Sequence, residues 1–206
     1  MGSAERRQRE STETRDMILD AARDLFVELG YEATSMRAIA DRIEYTPTAI
    51  YHHFANKEAL LAELCAQDFL ALGLAFQRIG HVQDPVERIE RSGRAYVEFA
   101  LAHPKHYEFM FMVARPPHDH ANGPVKGDPS EDAYAFLREA AAEAIAEDRF
   151  RHGFDDPDEV AQILWGTLHG IISLRITKAD DPWVEFKDPR EATDLACDAM
   201  LRGMLR

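Results

Sequence analysis

Positive charge is scarce in this 206-residue chain: 24 Lys and Arg stand against 37 Asp and Glu, a formal net charge of −13. A bulk basic footprint of the kind that coats nucleic acid is therefore excluded. Cysteine is scarce too. Cys65 and Cys197 are the only two, and both sit on apolar helical stretches. They are expected as core thiols rather than a disulfide, which suits a reducing, cytoplasmic compartment. No signal-peptide pattern opens the sequence, and Gly2 lacks the Ser or Thr four positions on that myristoylation needs. Gly-rich phosphate loops and nucleophile elbows are missing, so neither an enzyme nor a cofactor is expected. Strand-like alternation is missing as well. A hydrophobic share of 46% with 30% charged residues is that of an ordinary globular protein, and no membrane partner is expected.

What the chain does have is concentrated between Thr34 and Lys57. Met36, Ile39, Ala40 and Ile43 recur at the three-and-four spacing of one buried helix face, with Thr34 or Ser35 placed to cap it. Thr46 is a good cap for a second helix. Pro47 suits its first position, where no backbone N–H is needed. At about 100° per residue, Ile50 and Phe54 point inward with Tyr51 at their edge. Thr48, Ala49 and His52 point outward with His53 on the flank, a small, nearly uncharged face where a solvated helix would carry Glu and Lys. Asn56 then caps a third helix and leaves Lys57 in its first turn, where the helix dipole disfavours a cation by up to about 1 kcal/mol. A phosphate oxygen held by Lys57 and the free N–H groups would reverse that penalty. Two short helices joined by a tight turn and followed by a third form a unit suited to a DNA groove.

Placement decides whether the charge permits this. Residues 1–60 hold eight Lys and Arg against eleven Asp and Glu, a balance of −3. Arg6, Arg7, Arg9 and Arg15 fall in or near a flexible N-terminal arm, residues 1–13, and Arg37 and Lys57 border the helix pair. The acids Asp16, Asp20, Asp24 and Glu28 lie on a first helix whose other face, Ile18, Ala22, Leu25, Phe26 and Leu29, packs inward. They are expected to face away from a duplex and to weaken non-specific binding.

The segments Thr34-Ser35-Met36-Arg37-Ala38-Ile39-Ala40, Tyr51-His52-His53-Phe54 and Lys57-Glu58-Ala59-Leu60-Leu61 together resemble the N-terminal DNA-binding domain of TetR-type transcriptional regulators. The match runs from about Thr14 to Leu61. The family usually has Gly, a small apolar residue and Ser at the turn, where this chain has Glu44-Tyr45-Thr46. A left-handed Glu44 would carry about 1 kcal/mol or more of strain; any other conformation would alter the turn. The resemblance implies that Thr34 or Ser35, Tyr51, His52, His53 and Lys57 fix the DNA backbone. Arg37, Thr48 and Ala49, with the helix that begins at Pro47, are the candidates to reach base edges.

Beyond residue 57 the sequence Asp-Pro-x-Glu occurs four times, beginning at Asp84, Asp128, Asp156 and Asp188, each an expected helix start. The expected fold is all-α: a helix-turn-helix DNA-binding domain over 14–56 and a helical effector-binding and dimerisation domain over 57–206. Helices are expected near 14–29, 36–42, 47–54, 57–79, 85–102, 104–113, 130–151, 157–177 and 189–205. A long loop, Ala114 to Gly127, is rich in Pro, Gly and His and is expected to be mobile.

The helix near 157–177 is apolar around most of its circumference, and Gln162, His169 and Arg175 argue against a membrane span. A soluble helix of this kind needs cover on two faces. A homodimer built from it and from the helix near 189–205, with its stripe Ala192, Ala196, Ala199 and Gly203, supplies that cover. The alternative is a wholly internal helix in a monomer. Trp165, His169 and Gly170 form a Trp-x-x-x-His-Gly pattern similar to that of one TetR C-terminal subgroup. The family resemblance implies an enclosed pocket for a small-molecule effector, with Phe99, Tyr107, Phe111, Tyr134, Trp165 and His169 as candidates to line it. His103, His106, His118 and His120 have no Cys or carboxylate at a familiar zinc spacing, so no metal is expected.

The expected function is a ligand-responsive transcriptional repressor that binds a palindromic operator as a homodimer. The competing reading is a helical small-molecule-binding protein that no longer binds DNA.

Overall fold

The computed structural model describes residues 3–117 and 123–206, so His118 and His120 lie outside the described residues. Within them are nine α-helices: α1 (Ser3–Leu29), α2 (Met36–Arg42), α3 (Pro47–His53), α4 (Lys57–Gln77), α5 (Pro85–Ala102), α6 (Pro104–Phe111), α7 (Ala133–Ala146), α8 (Pro157–Thr177) and α9 (Pro189–Met204). The one extended pairing among the described residues is an isolated antiparallel bridge between Phe150 and Leu205. The protein is all-α.

The chain divides into two compact units, Met1–Asp68 with Lys105–Gly123, and Phe69–Pro104 with Pro124–Arg206. The boundary falls inside α4 rather than at residue 57, and α6 belongs to the first unit. Local patterning cannot show this, because α4 is one uninterrupted helix whose two halves serve different cores.

In the first unit Ile18, Leu19, Ala22, Leu25 and Phe26 of α1 are buried, as are Ile39, Ile50, Leu60, Leu61, Leu64, Tyr107 and Phe109. Each large apolar side chain so buried contributes about 1.5–3 kcal/mol. Phe26 and Phe109 stack at 5.9 Å. Leu29, expected on the inward face, is exposed at the last position of α1. The helix also begins at Ser3, well before residue 14, through the segment expected as a flexible arm. Glu5, Arg6, Arg7, Gln8 and Glu10 are good helix formers with no Gly or Pro among them. Arg6 and Glu10 approach to 3.4 Å one turn apart.

An ionic cluster that sequence reading missed lies inside this unit. Arg23 Nε and Nη2 donate to Asp68 at 3.0 and 2.9 Å, Arg23 Nη1 donates to Asp20 at 2.6 Å, and His106 Nδ1 sits 2.9 Å from Asp68. Each carboxylate oxygen of the buried Asp68 is thus engaged, as burial of a charge requires. By length and composition α4 is apolar enough to cross a bilayer, but half of its most apolar stretch is buried in the fold, and Asp68 lies on it.

In the second unit Ile89, Leu137, Ala140, Ala141, Ala144, Phe150, Val160, Leu164 and Leu201 form one core. Three of the four Asp-Pro-x-Glu sequences start helices, with the carboxylates of Asp84, Asp156 and Asp188 accepting first-turn N–H groups. The fourth does not. Asp128 accepts from Ser130 N at 2.8 Å inside a turn, and Asp132 caps α7 instead, so that helix spans 133–146 rather than 130–151. Gly73 is required by close approach: a Cβ there would lie 2.2 Å from the Glu131 carbonyl oxygen. Cys65 and Cys197 are buried free thiols, each pushed up to about 11 by that burial.

Candidate nucleic-acid interface and effector cluster

The helix pair is built as its spacing indicates. Ser35 Oγ accepts from Ala38 N at 3.1 Å and caps α2; Thr46 Oγ1 accepts from Ala49 N at 3.3 Å and caps α3. Asn56 Oδ1 accepts from Ala59 N at 2.7 Å at the start of α4. Ile50 and Phe54 are buried, whereas Thr48, Tyr51 and His52 are exposed and Ala49 and His53 half-buried. Arg37 is also exposed, with only a loose 3.9 Å approach to Asp41.

Thr34 is the exception among the candidate contacts. It is buried, with its hydroxyl 2.9 Å from Gly30 O and 3.1 Å from Leu25 O, so it closes the end of α1 and leaves Ser35 as the outward member of the pair. Glu44 adopts φ +59, the left-handed conformation usual for glycine at this turn. The turn geometry is therefore kept and the strain accepted.

Two cations hold the ends of the helix pair. Lys57 Nζ donates to Tyr31 O and to Thr34 O, each at 2.9 Å, and lies 4.1 Å from the centre of the Tyr31 ring. These contacts relieve the unfavourable position of an ammonium at a helix start, and they use two of its three donors. At the other end Arg15 Nη1 donates to His53 O at 3.1 Å, Nη2 meets Glu63 at 3.2 Å, and the guanidinium lies 4.3 Å from the Phe54 ring centre. Arg42 joins the end of α2 to Glu28 of α1 at 2.7 Å, and this hydrogen bond lowers the Glu28 carboxyl below its usual range.

Of the six candidate effector-lining residues, the second unit contains Phe99, Tyr134, Trp165 and His169, while Tyr107 and Phe111 belong to the first, their rings 5.1 Å apart. Trp165 lies 6.2 Å from both the Tyr134 and the His169 rings, and Phe99 packs on His103 at 5.3 Å. Tyr96, which sequence reading passed over, connects the group. Trp165 Nε1 donates to Tyr96 Oη at 3.1 Å, and Tyr96 Oη is 3.2 Å from His169 Nδ1. Its signal was the buried face of α5, which Tyr96 shares with Phe99. Tyr134 donates to Asp158 at 2.9 Å and accepts from Gln162 at 3.2 Å. Asp158, Gln162, Trp165 and His169 follow one another at helical spacing on a single face of α8. Burial lowers the His169 pKa below 6.5, which favours a neutral ring.

This helix–turn–helix unit followed by a helical domain defines a class, that of DNA-binding regulators of transcription. Residues 18–64 match the tetR family of bacterial regulatory proteins, and residues 89–200 match the tetracyclin repressor-like C-terminal domain. The second match alone covers more than half of the chain, and the chain belongs to the tetR family. It is 44% identical over 61 residues to the HTH-type transcriptional regulator UidR of Escherichia coli K12, which is 30% of this chain and 31% of UidR. The similarity thus spans less than a third of that relative's own length. A protein of unknown function from Rhodococcus sp. RHA1 superposes with a TM-score of 0.70 at 24% identity, over 93% of this chain and 95% of the other. The complex of SmeT with triclosan superposes with a TM-score of 0.69 at 25% identity, over 94% and 92%. SmeT is described as the repressor of the Stenotrophomonas maltophilia multidrug efflux pump SmeDEF.

Proposed function

We propose that the protein is a cytoplasmic, ligand-responsive repressor that binds a palindromic operator as a homodimer. One observation carries the reading. The α3 helix is anchored by Ile50 and Phe54 and presents Thr48 and His52 outward, with Ser35, Arg37 and Tyr51 exposed around it. Thr48 and Ala49 offer methyl groups to a thymine, and Arg37 reaches base edges. Ser35, Tyr51, His52, His53 and the third donor of Lys57 hold phosphates. The left-handed Glu44 supports this over a small-molecule binder without DNA affinity, because the turn that aims α3 is retained.

The dimer rests on a stripe of α8. Ile163, Gly166, Thr167 and Leu174 are exposed and Gly170 is half-buried, all at helical spacing. A Cβ on either glycine would meet nothing within 4 Å, so packing within the chain does not require them. Close approach of a second α8 does. In α9, Leu195 and Ala199 are exposed as well. Thr167→Arg would then yield a folded monomer by sedimentation; a dimer of unchanged affinity would overturn this interface.

We place the effector site at Trp165 and His169, which with Gly170 make up the Trp-x-x-x-His-Gly pattern, together with Tyr134 and Tyr96. Aromatic rings with a few fixed polar atoms suit a small aromatic or apolar molecule; the SmeT complex with triclosan supports that chemistry. An effector that prefers the dimer with wrongly spaced α3 helices weakens operator binding, and a coupling of about 1–3 kcal/mol changes affinity roughly 5- to 150-fold. The test is genomic footprinting of the full chain with and without candidate compounds. Discrete sites released by a compound support the reading, and an absence of any footprint favours the non-DNA alternative.

A further inference from the structure

We infer that Arg15 is a positioning residue for DNA recognition: it fixes the exit of α3 from α1 and α4 and touches no phosphate. The inference rests on the DNA-binding reading. A seven-residue helix is too short to hold itself. Its N-terminus is fixed by Thr46 and Pro47, and its rotation by the buried Ile50 and Phe54. Its last turn closes with Phe54 N donating to Ile50 O at 3.0 Å; the His53 carbonyl lies beyond that bond, and a cation there is favourable. Arg15 supplies that cation. It donates to His53 O at 3.1 Å and covers the ring of Phe54, the residue at which the helix ends, from 4.3 Å.

The guanidinium is itself aimed by Glu63 of α4 at 3.2 Å, with the two side chains 35% and 22% exposed. The same α4 begins with Lys57, whose ammonium holds Tyr31 O and Thr34 O just before α2. One helix therefore grips the recognition unit at both ends, directly through Lys57 and through Glu63 and Arg15. An arginine held by a carbonyl, a carboxylate and a ring sets the tilt of α3.

The test uses the full chain and a duplex that the unmutated protein selects from a random-sequence library, with a scrambled duplex of the same length for comparison. Arg15→Ala is expected to lower the preference for the selected duplex about ten-fold or more, the scale of a lost hydrogen bond to a charged group. The log–log salt slope stays the same, where loss of a phosphate contact would reduce it by about 0.9. Amide hydrogen exchange speeds up over residues 51–54 and not over 18–26. Glu63→Gln shifts preference and exchange in the same direction by less. A slope reduced by about one makes Arg15 a phosphate ligand and overturns the proposal. So does unchanged preference per active molecule with faster exchange throughout, the pattern of general destabilisation. If the unmutated protein selects no sequence, the DNA-binding reading itself fails, and this role fails with it.

Discussion

Arg23 of α1 and Asp68 of α4 meet through two parallel hydrogen bonds of 3.0 and 2.9 Å, with both side chains almost wholly buried. Removing Asp68 leaves the Arg23 charge in the core with only the exposed Asp20 carboxylate to offset its desolvation. Asp68→Asn is expected to destabilise the protein by about 3–5 kcal/mol in urea unfolding. A double replacement of Arg23 and Asp68 by apolar residues of similar size should cost less than either single change. Equal losses in all three variants would show that the pair is not the unit of stability.

Glu44 stores strain at φ +59 that glycine would not. Glu44→Gly should raise stability by about 0.5–1 kcal/mol, read as a higher Tm, with DNA preference unchanged because the turn keeps its shape. A lower Tm would mean that the Glu44 side chain contributes more than its backbone costs.

Lys57 is expected to act twice. Lys57→Ala removes two hydrogen bonds from the ammonium to backbone carbonyls, which should cost about 1–2 kcal/mol of stability. It should also reduce the salt slope of DNA binding by about 1. Loss of stability with an unchanged slope would confine Lys57 to holding the chain before α2.

His169 gives a pH dependence of known sign. Its folded pKa lies below 6.5, so above pH 6.5 both folded and unfolded states carry a neutral ring and the folded state is at full strength. As pH falls below 6.5 the unfolded chain takes up the proton first, and stability is lost until the pH passes the folded value. His169→Gln should abolish this part of the acid loss between pH 7.5 and 5.5 in urea titrations. The lowered carboxyls of Asp84, Asp128 and Asp158 act in a separate, more acidic window. An identical pH profile in the variant would place the loss elsewhere.

The parts legible in the sequence are those decided within one helical turn. Ser35, Thr46 and Asn56 cap as their residue types indicate, and Ile50 and Phe54 face inward as their spacing requires. Asp128 shows the limit: Asp-Pro-x-Glu serves a tight turn as well as a helix start, and Asp132 won the cap. What pairs across long stretches of chain was not legible. Arg23 and Asp68 are 45 residues apart, and nothing local marks either as buried. Tyr96 was hidden behind Phe99 on the same face of α5, and aromatic content alone did not show that Tyr107 and Phe111 belong to the first unit. Thr34 and Ser35 were interchangeable on paper; burial separates them.

On the reading above, α3 enters the groove of a duplex and contacts its bases. This is tested most directly by selection from a random-sequence duplex library at moderate salt, with the unmutated full chain and Thr48→Ala side by side. The expected result is an enriched inverted repeat whose half-sites lie about one helical turn or a multiple apart. Thr48→Ala should relax discrimination at one position in each half-site. A selection that enriches no sequence, or one whose enriched sequence is indifferent to Thr48, Ala49 and Arg37 alike, would contradict that reading.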